Sequence, residues 1–213
     1  MKSIRVAVAA AAVGLALTAC SSPVEAGAAA VVGKERISAD ELNANVREYE
    51  AALEKAKVTP EQLGFPGSIS QIVLFQLAQI SQYKQLLQTA GVQVSEGEID
   101  QFIAASTQDP QKGTLDQQML GSGIAPSKAR DYMRISVGLQ KVLQQLGGGT
   151  DQAAQQRGSQ KVQEATKAIP ITYSPRYGAI NPQRSQENPQ LFVDTGRFGK
   201  LTATPPAAGQ PQG

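Results

Sequence analysis

Residues 69–90 read ISQIVLFQLAQISQYKQLLQTA, the most apolar stretch in the body of the chain. The first half of this stretch is apolar nearly all round, which is typical of a helix that is buried on every side. Gly91 follows directly, and a glycine just past the last helical residue favours a C-terminal cap. We therefore predict a central helix around which the other elements pack. Its apolar residues are Ile72, Val73, Phe75, Leu77, Ile80, Tyr83, Leu86 and Leu87.

The segment before this helix carries the start signal of another. Ser38 and Glu41 have the spacing of a capping box, in which each side chain accepts a hydrogen bond from the other residue's backbone N–H. Ile37 and Leu42 flank the box at the positions of a hydrophobic staple. An amphipathic helix of about five turns is predicted here. Its apolar face consists of Leu42, Val46, Tyr49 and Leu53.

The same start signal recurs after the central helix. Ser95 and Glu98 form a second capping box, with Val94 and Ile99 as its staple, and the predicted helix continues through Phe102 and Ile103. The acidic residues of its first turns, Glu96, Glu98 and Asp100, could suggest a carboxylate site. The helix dipole favours negative charge at this end, so we favour a structural role for them.

Two further helices are predicted before residue 150. Residues 115–120 form a short helical segment that Gly121-Ser122-Gly123 interrupts. A long amphipathic helix follows Pro126 and stops at residues 147–149, three consecutive glycines that lack the Gly-Lys-Ser/Thr ending of a phosphate-binding loop. The apolar face of the long helix contains Tyr132, Ile135, Leu139, Val142, Leu143 and Leu146.

The remaining segments are weaker in pattern. Residues 28–34 are predicted to be a short strand and turn, and residues 171–173 a second strand. Between the last long helix and the second strand lie a Gln-rich, weakly patterned stretch at 150–159 and one more short helix at 161–169. From residue 179 onward we expect a Pro-, Gln- and Gly-rich tail that is largely disordered, above all at 201–213.

The first nineteen residues have the features of an export signal. Lys2 and Arg5 precede a short apolar run, which is too short for a comfortable membrane span. Residues 17–20, Leu-Thr-Ala-Cys, resemble the lipobox of bacterial lipoproteins, in which the cysteine is acylated and the bond before it is cut. This resemblance implies a signal peptide at 1–19, lipid attachment at Cys20, a tether at 20–27 and a location at the outer face of a cell membrane.

Composition excludes several classes of function. Removal of residues 1–19 leaves 18 basic and 18 acidic residues, so the mature body lacks the excess basic charge of a nucleic-acid binder. The chain contains no histidine and a single cysteine. Ser-His-Asp and Cys-His triads are therefore excluded, and the commonest zinc ligands are missing. We expect no enzymatic activity, no metal and no cofactor.

The order of the elements resembles the N-terminal domain of SurA-type chaperones, a helical module also found in PrsA-type foldases and related to the chaperone part of trigger factor. The matching pieces are VGKERIS at 32–38, AGVQVSEGEI at 90–99 and residues 115–124, and together the resemblance covers residues 28–146. It implies a mainly α helical bundle at residues 28–178. It also implies a small two-stranded β element, because the C-terminal strand of the family pairs with the N-terminal one.

One departure from the family bears on activity. Fuller members insert parvulin-type prolyl isomerase domains before the final strand, whereas here only residues 150–170 lie between the last long helix and that strand. This length is too short for an independent domain. Parvulin sites also use histidines, which this chain lacks.

The resemblance predicts a lipid-anchored, non-enzymatic chaperone or holdase that binds unfolded exported polypeptides. The alternative is a dedicated adaptor or scaffold that binds one folded partner in an envelope complex. Candidate contact residues lie near helix ends and glycine or proline breaks, and methionine side chains adapt to varied partners. For any one of them, a place in the ordinary core is the favoured alternative. They are Phe65, Phe102, Met119, Leu120, Ile124, Tyr132 and Met133.

Overall fold

The computed structural model describes residues 26–109, 111 and 113–194. Within these residues the chain is mainly helical, as predicted. The helices are α1 (Ala39–Ala56), α2 (Pro60–Leu63), α3 (Ile69–Thr89), α4 (Glu96–Thr107), α5 (Leu115–Ser122), α6 (Ala129–Gly147) and α7 (Gln152–Lys167). The strands are β1 (Ala28–Val32), β2 (Glu35–Ser38), β3 (Ile171–Tyr173), β4 (Ala179–Ile180) and β5 (Phe192–Val193).

The main sheet has three antiparallel strands in the order β2-β1-β3, not the two that we predicted. The additional strand, β2, follows β1 through a turn in which Gly33 has φ +55°. A Cβ at Gly33 would collide with the side chains of Gln85 and Ile169. The sequence pattern missed β2 because it is only four residues long and runs directly into the capping residue of α1.

The N- and C-terminal parts of the described chain meet in this sheet. Ala30 lies opposite Tyr173 and Val32 opposite Ile171. The amide of Ser174 donates to the carbonyl of Ala29 at 2.8 Å and extends the ladder. The expected pairing of the C-terminal strand with the N-terminal one is therefore confirmed.

Helix α3 is the centre of the core. It packs against α1, α6 and β1, and Val73, Leu74 and Ala78 are at most 1% exposed. Tyr49 and Leu42 of α1 and Val142 of α6 belong to the same apolar cluster. The prediction of a central buried helix is confirmed.

The predicted caps are confirmed at α3 and α4. The αL residue Gly91 follows α3, and both halves of the capping box at Ser95 and Glu98 are present. At α1 the prediction was only half right: the Ser38 hydroxyl accepts a hydrogen bond from the Glu41 amide at 3.0 Å, but the reciprocal bond is not formed. The Glu41 carboxylate instead lies 3.6 Å from the ammonium of Lys128.

Helix α7 corrects the interpretation of residues 150–169. From Gln152 onward the weakly patterned Gln-rich stretch forms the first half of one continuous helix, which the Asp151 side chain caps. The predicted short helix at 161–169 is the second half of the same helix. Few apolar residues mark this helix, because its closest contacts with α6 are made by glycine. A Cβ at Gly158 would collide with the backbone carbonyl of Leu143, and one at Gly147 with that of Ala154.

Residues 179–194, the first part of the expected tail, are ordered. Strands β4 and β5 pair antiparallel, with Ile180 opposite Phe192. The Leu191 amide donates to the Pro66 carbonyl at 2.7 Å, and the Phe192 ring lies edge-on to Tyr173 at 5.0 Å between centroids. Ordered structure therefore continues past the predicted boundary at 178 through residue 194, the last described residue.

The predicted signal peptide at 1–19, the lipidation site Cys20 and residues 195–213 of the tail lie outside the described residues. Of the predicted tether, only Gly27 and Ala26 are described. In the described part of the chain, no helix combines the length and the hydropathy that a membrane crossing requires.

Candidate functional site

A groove lies between the C-terminal half of α1 and the helix α5. It has a volume of about 300 Å³ and opens to solvent. Three of its lining residues are buried apolar side chains, which we take as its floor: Met119, Leu120 and Ile124. The rest of the lining is formed by Ala52, Lys55, Ala56, Asp116, Gln117 and Pro126.

The floor of the groove is held in place by a hydrogen bond across the core. The hydroxyl of Tyr49, a fully buried residue of α1, donates to the carbonyl oxygen of Leu120 at 2.5 Å. Burial raises the pKa of Tyr49 to about 12, so this hydroxyl remains a donor even in moderately alkaline solution. The hydrogen bond joins α1 to α5, the two helices that form the walls of the groove.

Helix α5 ends sharply beside the groove. Its C-cap, Gly123, has φ +74°, and a Cβ there would collide with the side chain of Ile72 in α3. The glycine break that the sequence shows at this point is therefore required for close packing on the central helix.

The rim of the groove is polar. Lys55 on α1 and Asp116 and Gln117 on α5 are exposed, and they surround the apolar floor. The rim thus carries one positive and one negative charge. The groove thus combines an apolar floor with a polar rim.

A second apolar cluster, which we call the satellite core, lies behind the groove between α4, α5 and α6. Its buried members are Ile99, Met119, Ile124, Ala129 and Met133. The partly buried Val94, Phe102, Ile103, Leu115 and Tyr132 pack around them. Met119 and Ile124 belong both to the satellite core and to the floor of the groove.

The structure brings together five of the seven candidate contact residues. Phe102, Met119, Ile124, Tyr132 and Met133 all lie in the satellite core. Leu120 belongs to the main core but reaches the groove, and Phe65 lies apart, 6.4 Å from Tyr49 between ring centroids. Four of the seven are buried, and a role of any of the seven in peptide binding stays a prediction. Met119, Leu120, Ile124 and Met133 are between 1% and 6% exposed because they fill helix interfaces.

The α1 wall of the groove was missed by the sequence analysis. Ala52, Lys55 and Ala56 are ordinary residues of an amphipathic helix, and nothing in their pattern distinguishes them. They become part of a concave surface only because α5 packs against that side of α1.

An ion-pair cluster joins α4 to α6 at the outer surface of the satellite core. Arg130 lies 2.6 Å from Glu96 and 2.9 Å from Asp100, Arg134 lies 2.6 Å from Glu96, and Lys141 lies 2.5 Å from Glu98. Hydrogen bonds from Arg130 and Arg134 lower the pKa of Glu96. A hydrogen bond from Lys141, with that of the Ser95 amide, lowers the pKa of Glu98 to about 2. The three carboxylates therefore have structural partners.

No metal site is evident in the part of the chain that the structure describes, since it contains no group of three or more histidine, cysteine or acidic side chains with the right proximity.

Comparison with known proteins identifies the family. A profile of the SurA-like N-terminal domain matches residues 1–143 of the 213-residue chain. The chain belongs to the SurA-like N-terminal domain family. Comparison with curated proteins and with solved structures gave no significant match.

The family match places the groove and the satellite core within a chaperone-related domain. The matched residues include both walls of the groove and most of α6. The SurA-like family binds polypeptide substrates generally. The family resemblance predicted from the order of the helices is thus confirmed.

Proposed function

We propose that this SurA-like protein is a lipid-anchored, non-enzymatic holdase that binds unfolded exported polypeptides at the outer face of a cell membrane. The observation that carries this proposal is the groove between α1 and α5, with its apolar floor and polar rim. Its volume of about 300 Å³ lies at the lower end of the range for ligand pockets. It would accept one or two apolar side chains rather than a folded partner.

The chemistry of the floor supports binding of varied sequences. Met119 is unbranched and polarizable, so it adapts to side chains of different shape, and Leu120 and Ile124 add a non-directional apolar surface. A holdase must also release its clients. A small groove that binds a few side chains at a time provides the weak, reversible contacts that release requires.

The balance of charge supports a broad client range. The mature body carries equal numbers of basic and acidic residues, and the rim of the groove carries one of each sign. Clients would therefore be selected for exposed apolar side chains and not for net charge.

The groove is tested by filling it from the α1 wall. Ala56→Arg places a long charged side chain at the rim, and we expect it to weaken binding of an unfolded, apolar-rich polypeptide about fivefold, the equivalent of about 1 kcal/mol. Ala51→Arg is the matched control, because Ala51 is an exposed residue of the same helix that does not line the groove. Binding is measured by fluorescence anisotropy of a labelled client. Equal affinities of the two variants would contradict the proposal.

The lipid anchor is tested separately in cells. Replacing Cys20 with serine removes the only thiol of the chain, so we expect loss of metabolic labelling with a palmitate analogue. We also expect the protein to move from the membrane fraction to the soluble exported fraction, because two or more acyl chains would supply its attachment. The double variant Cys20→Ser/Lys55→Cys again contains one thiol, but at position 55 and not at position 20. Labelling of that variant, or of Cys20→Ser, would refute acylation at Cys20.

Photocrosslinking from the groove separates the holdase from the adaptor. A crosslinking amino acid at position 56 of the anchored protein should capture many different newly exported polypeptides. Capture of one folded partner in stoichiometric amount would instead establish the dedicated adaptor or scaffold.

A further inference from the structure

The strand β3 forms one edge of the main sheet. The strand order is β2-β1-β3, so within the described residues only one side of β3 is paired. The Ser174 amide and the Pro170 carbonyl bond to β1 and the turn after it. Because backbone groups alternate in direction along a strand, those of Ile171 and Tyr173 lie on the open side. The open side of β3 therefore presents donors and acceptors at the spacing that a further strand requires.

A cleft of about 550 Å³, which we call the edge cleft, lies along this open side. It is lined by the three residues of β3, by Pro175 and Gly178, and by both residues of β4. Ile180 of β4 is 39% exposed, the one large apolar side chain of the described residues that is so accessible. The Asn181 amide donates to the Leu191 carbonyl on the β5 side, so the backbone groups of Ile180 face away from β5. The edge cleft thus combines two strand edges with an exposed apolar side chain.

The described part of the chain ends beside this cleft. Strand β5 runs antiparallel to β4, with Val193 opposite Ala179, so the residues after Val193 lead past Gly178. A Cβ at Gly178, which lines the cleft, would lie only 2.6 Å from the Val193 carbonyl oxygen. Residues 195–200 can span about 20 Å when extended. This reach exceeds the length of the three-residue strand β3, about 10 Å.

The sequence beyond this connection has the pattern of a short strand. Residues 201–204 read Leu-Thr-Ala-Thr, and alternation places Leu201 and Ala203 on one face and the threonines on the other. Strand β3, Ile-Thr-Tyr, has the same alternation, with its apolar residues against the main core and Thr172 exposed. Residues 205 and 206 are prolines, which cannot donate to a ladder and would end the strand.

We propose that residues 201–204 of this chain occupy the edge cleft as a fourth strand of the main sheet. Entering from the end where residues 174–178 join β3 to β4, the segment runs antiparallel to β3. It pairs with the open backbone groups of Ile171 and Tyr173 and covers Ile180. It also removes an edge that would otherwise be open to pairing with another chain. The proposal assigns a strand to residues for which composition alone predicts disorder, and it does not depend on the holdase function.

The strand is tested in the full-length chain with two prolines. Neighbouring amides of a strand point to opposite sides, so T202P/A203P removes a donor toward β3 in either register. We expect amide hydrogen exchange of Ile171 and Tyr173 to be about tenfold faster in this variant than in the wild type. Exchange of Thr172, whose amide faces β1, should be unchanged. Nuclear magnetic resonance resolves the individual amides.

The matched control is A207P/A208P, which places two prolines beyond the proposed strand. Its exchange at Ile171 and Tyr173 should equal that of the wild type. Faster exchange in this control to the same extent as in T202P/A203P would overturn the assignment to residues 201–204.

The other possible occupants of the cleft give different results. Protection of the two amides that is lost on dilution of the protein would assign the cleft to a second copy of the chain. Wild-type amides that become protected only when a peptide of alternating valine and threonine is added would assign it to an extended client. Either result, or equal exchange in the wild type and T202P/A203P, would overturn the proposal. Client binding at the groove between α1 and α5 is measured separately with Ala56→Arg, so the proposed function stands or fails independently.

Discussion

Replacing Gly158 with alanine is expected to lower the free energy of unfolding by about 1 to 3 kcal/mol. A Cβ at this position would collide with the backbone carbonyl of Leu143 on α6, and a backbone group cannot rotate away as the end of a side chain can. The helices α6 and α7 would have to separate along their contact. Because α7 leads into β3, we expect the pairing of β3 with β1 in the main sheet to be disturbed as well.

Gly121→Ala is the control for this prediction. Gly121 is also a helical glycine, in α5, but a Cβ there would meet nothing within 4 Å. Alanine should therefore stabilise the protein by about 0.5 to 1 kcal/mol through its better helix propensity. Unfolding in urea, monitored by circular dichroism, measures the free energy of unfolding of both variants. A loss of stability in both variants, or in neither, would show that close helix approach at Gly158 is not the cause.

Replacing Ile99 with alanine is expected to release α4 from α6. Ile99 is fully buried and is the one buried residue of α4, so its truncation should lower the free energy of opening of this helix by about 2 to 5 kcal/mol. The satellite core is separate from the main core, so β1 and α3 should keep their protection. Hydrogen exchange resolved by helix measures the effect.

Ile103→Ala is the matched control, because it deletes the same atoms from a half-buried position of the same helix. Its effect on exchange in α4 should be clearly smaller. A uniform loss of protection over the whole chain in Ile99→Ala would mean that the satellite core and the main core open together.

The helices that the sequence predicted well are those whose burial follows a regular spacing. The apolar stretch of α3 and the apolar face of α6 can be recognised in the sequence because helix geometry puts every third or fourth residue on one face. The caps at Ser95 and Gly91 are equally readable, since they satisfy backbone groups within a few residues of themselves. These features are local, and the sequence contains everything that they need.

The first half of helix α7 and the strand pair β4-β5 were not predicted, because their stability comes from distant residues. Few apolar residues mark α7, and its glycine contact becomes meaningful only when α6 lies against it. Strands β4 and β5 have two residues each, and Leu191 and Phe192 are buried only because Pro66, Ile72 and Tyr173 are nearby. Local composition at residues 179–194 resembles a tail, and tertiary contacts override it.

The same distinction between local and tertiary features applies to the candidate site. Met119, Ile124 and Met133 could be chosen from the sequence because they lie beside helix breaks, but whether they face solvent, a groove or a core depends on three helices at once. The sequence by itself determined the helical class, the main helix boundaries and the family. Only the tertiary structure decided which apolar residues are accessible and which charges pair across α4 and α6, because accessibility and ion pairing depend on distances between segments far apart in the chain.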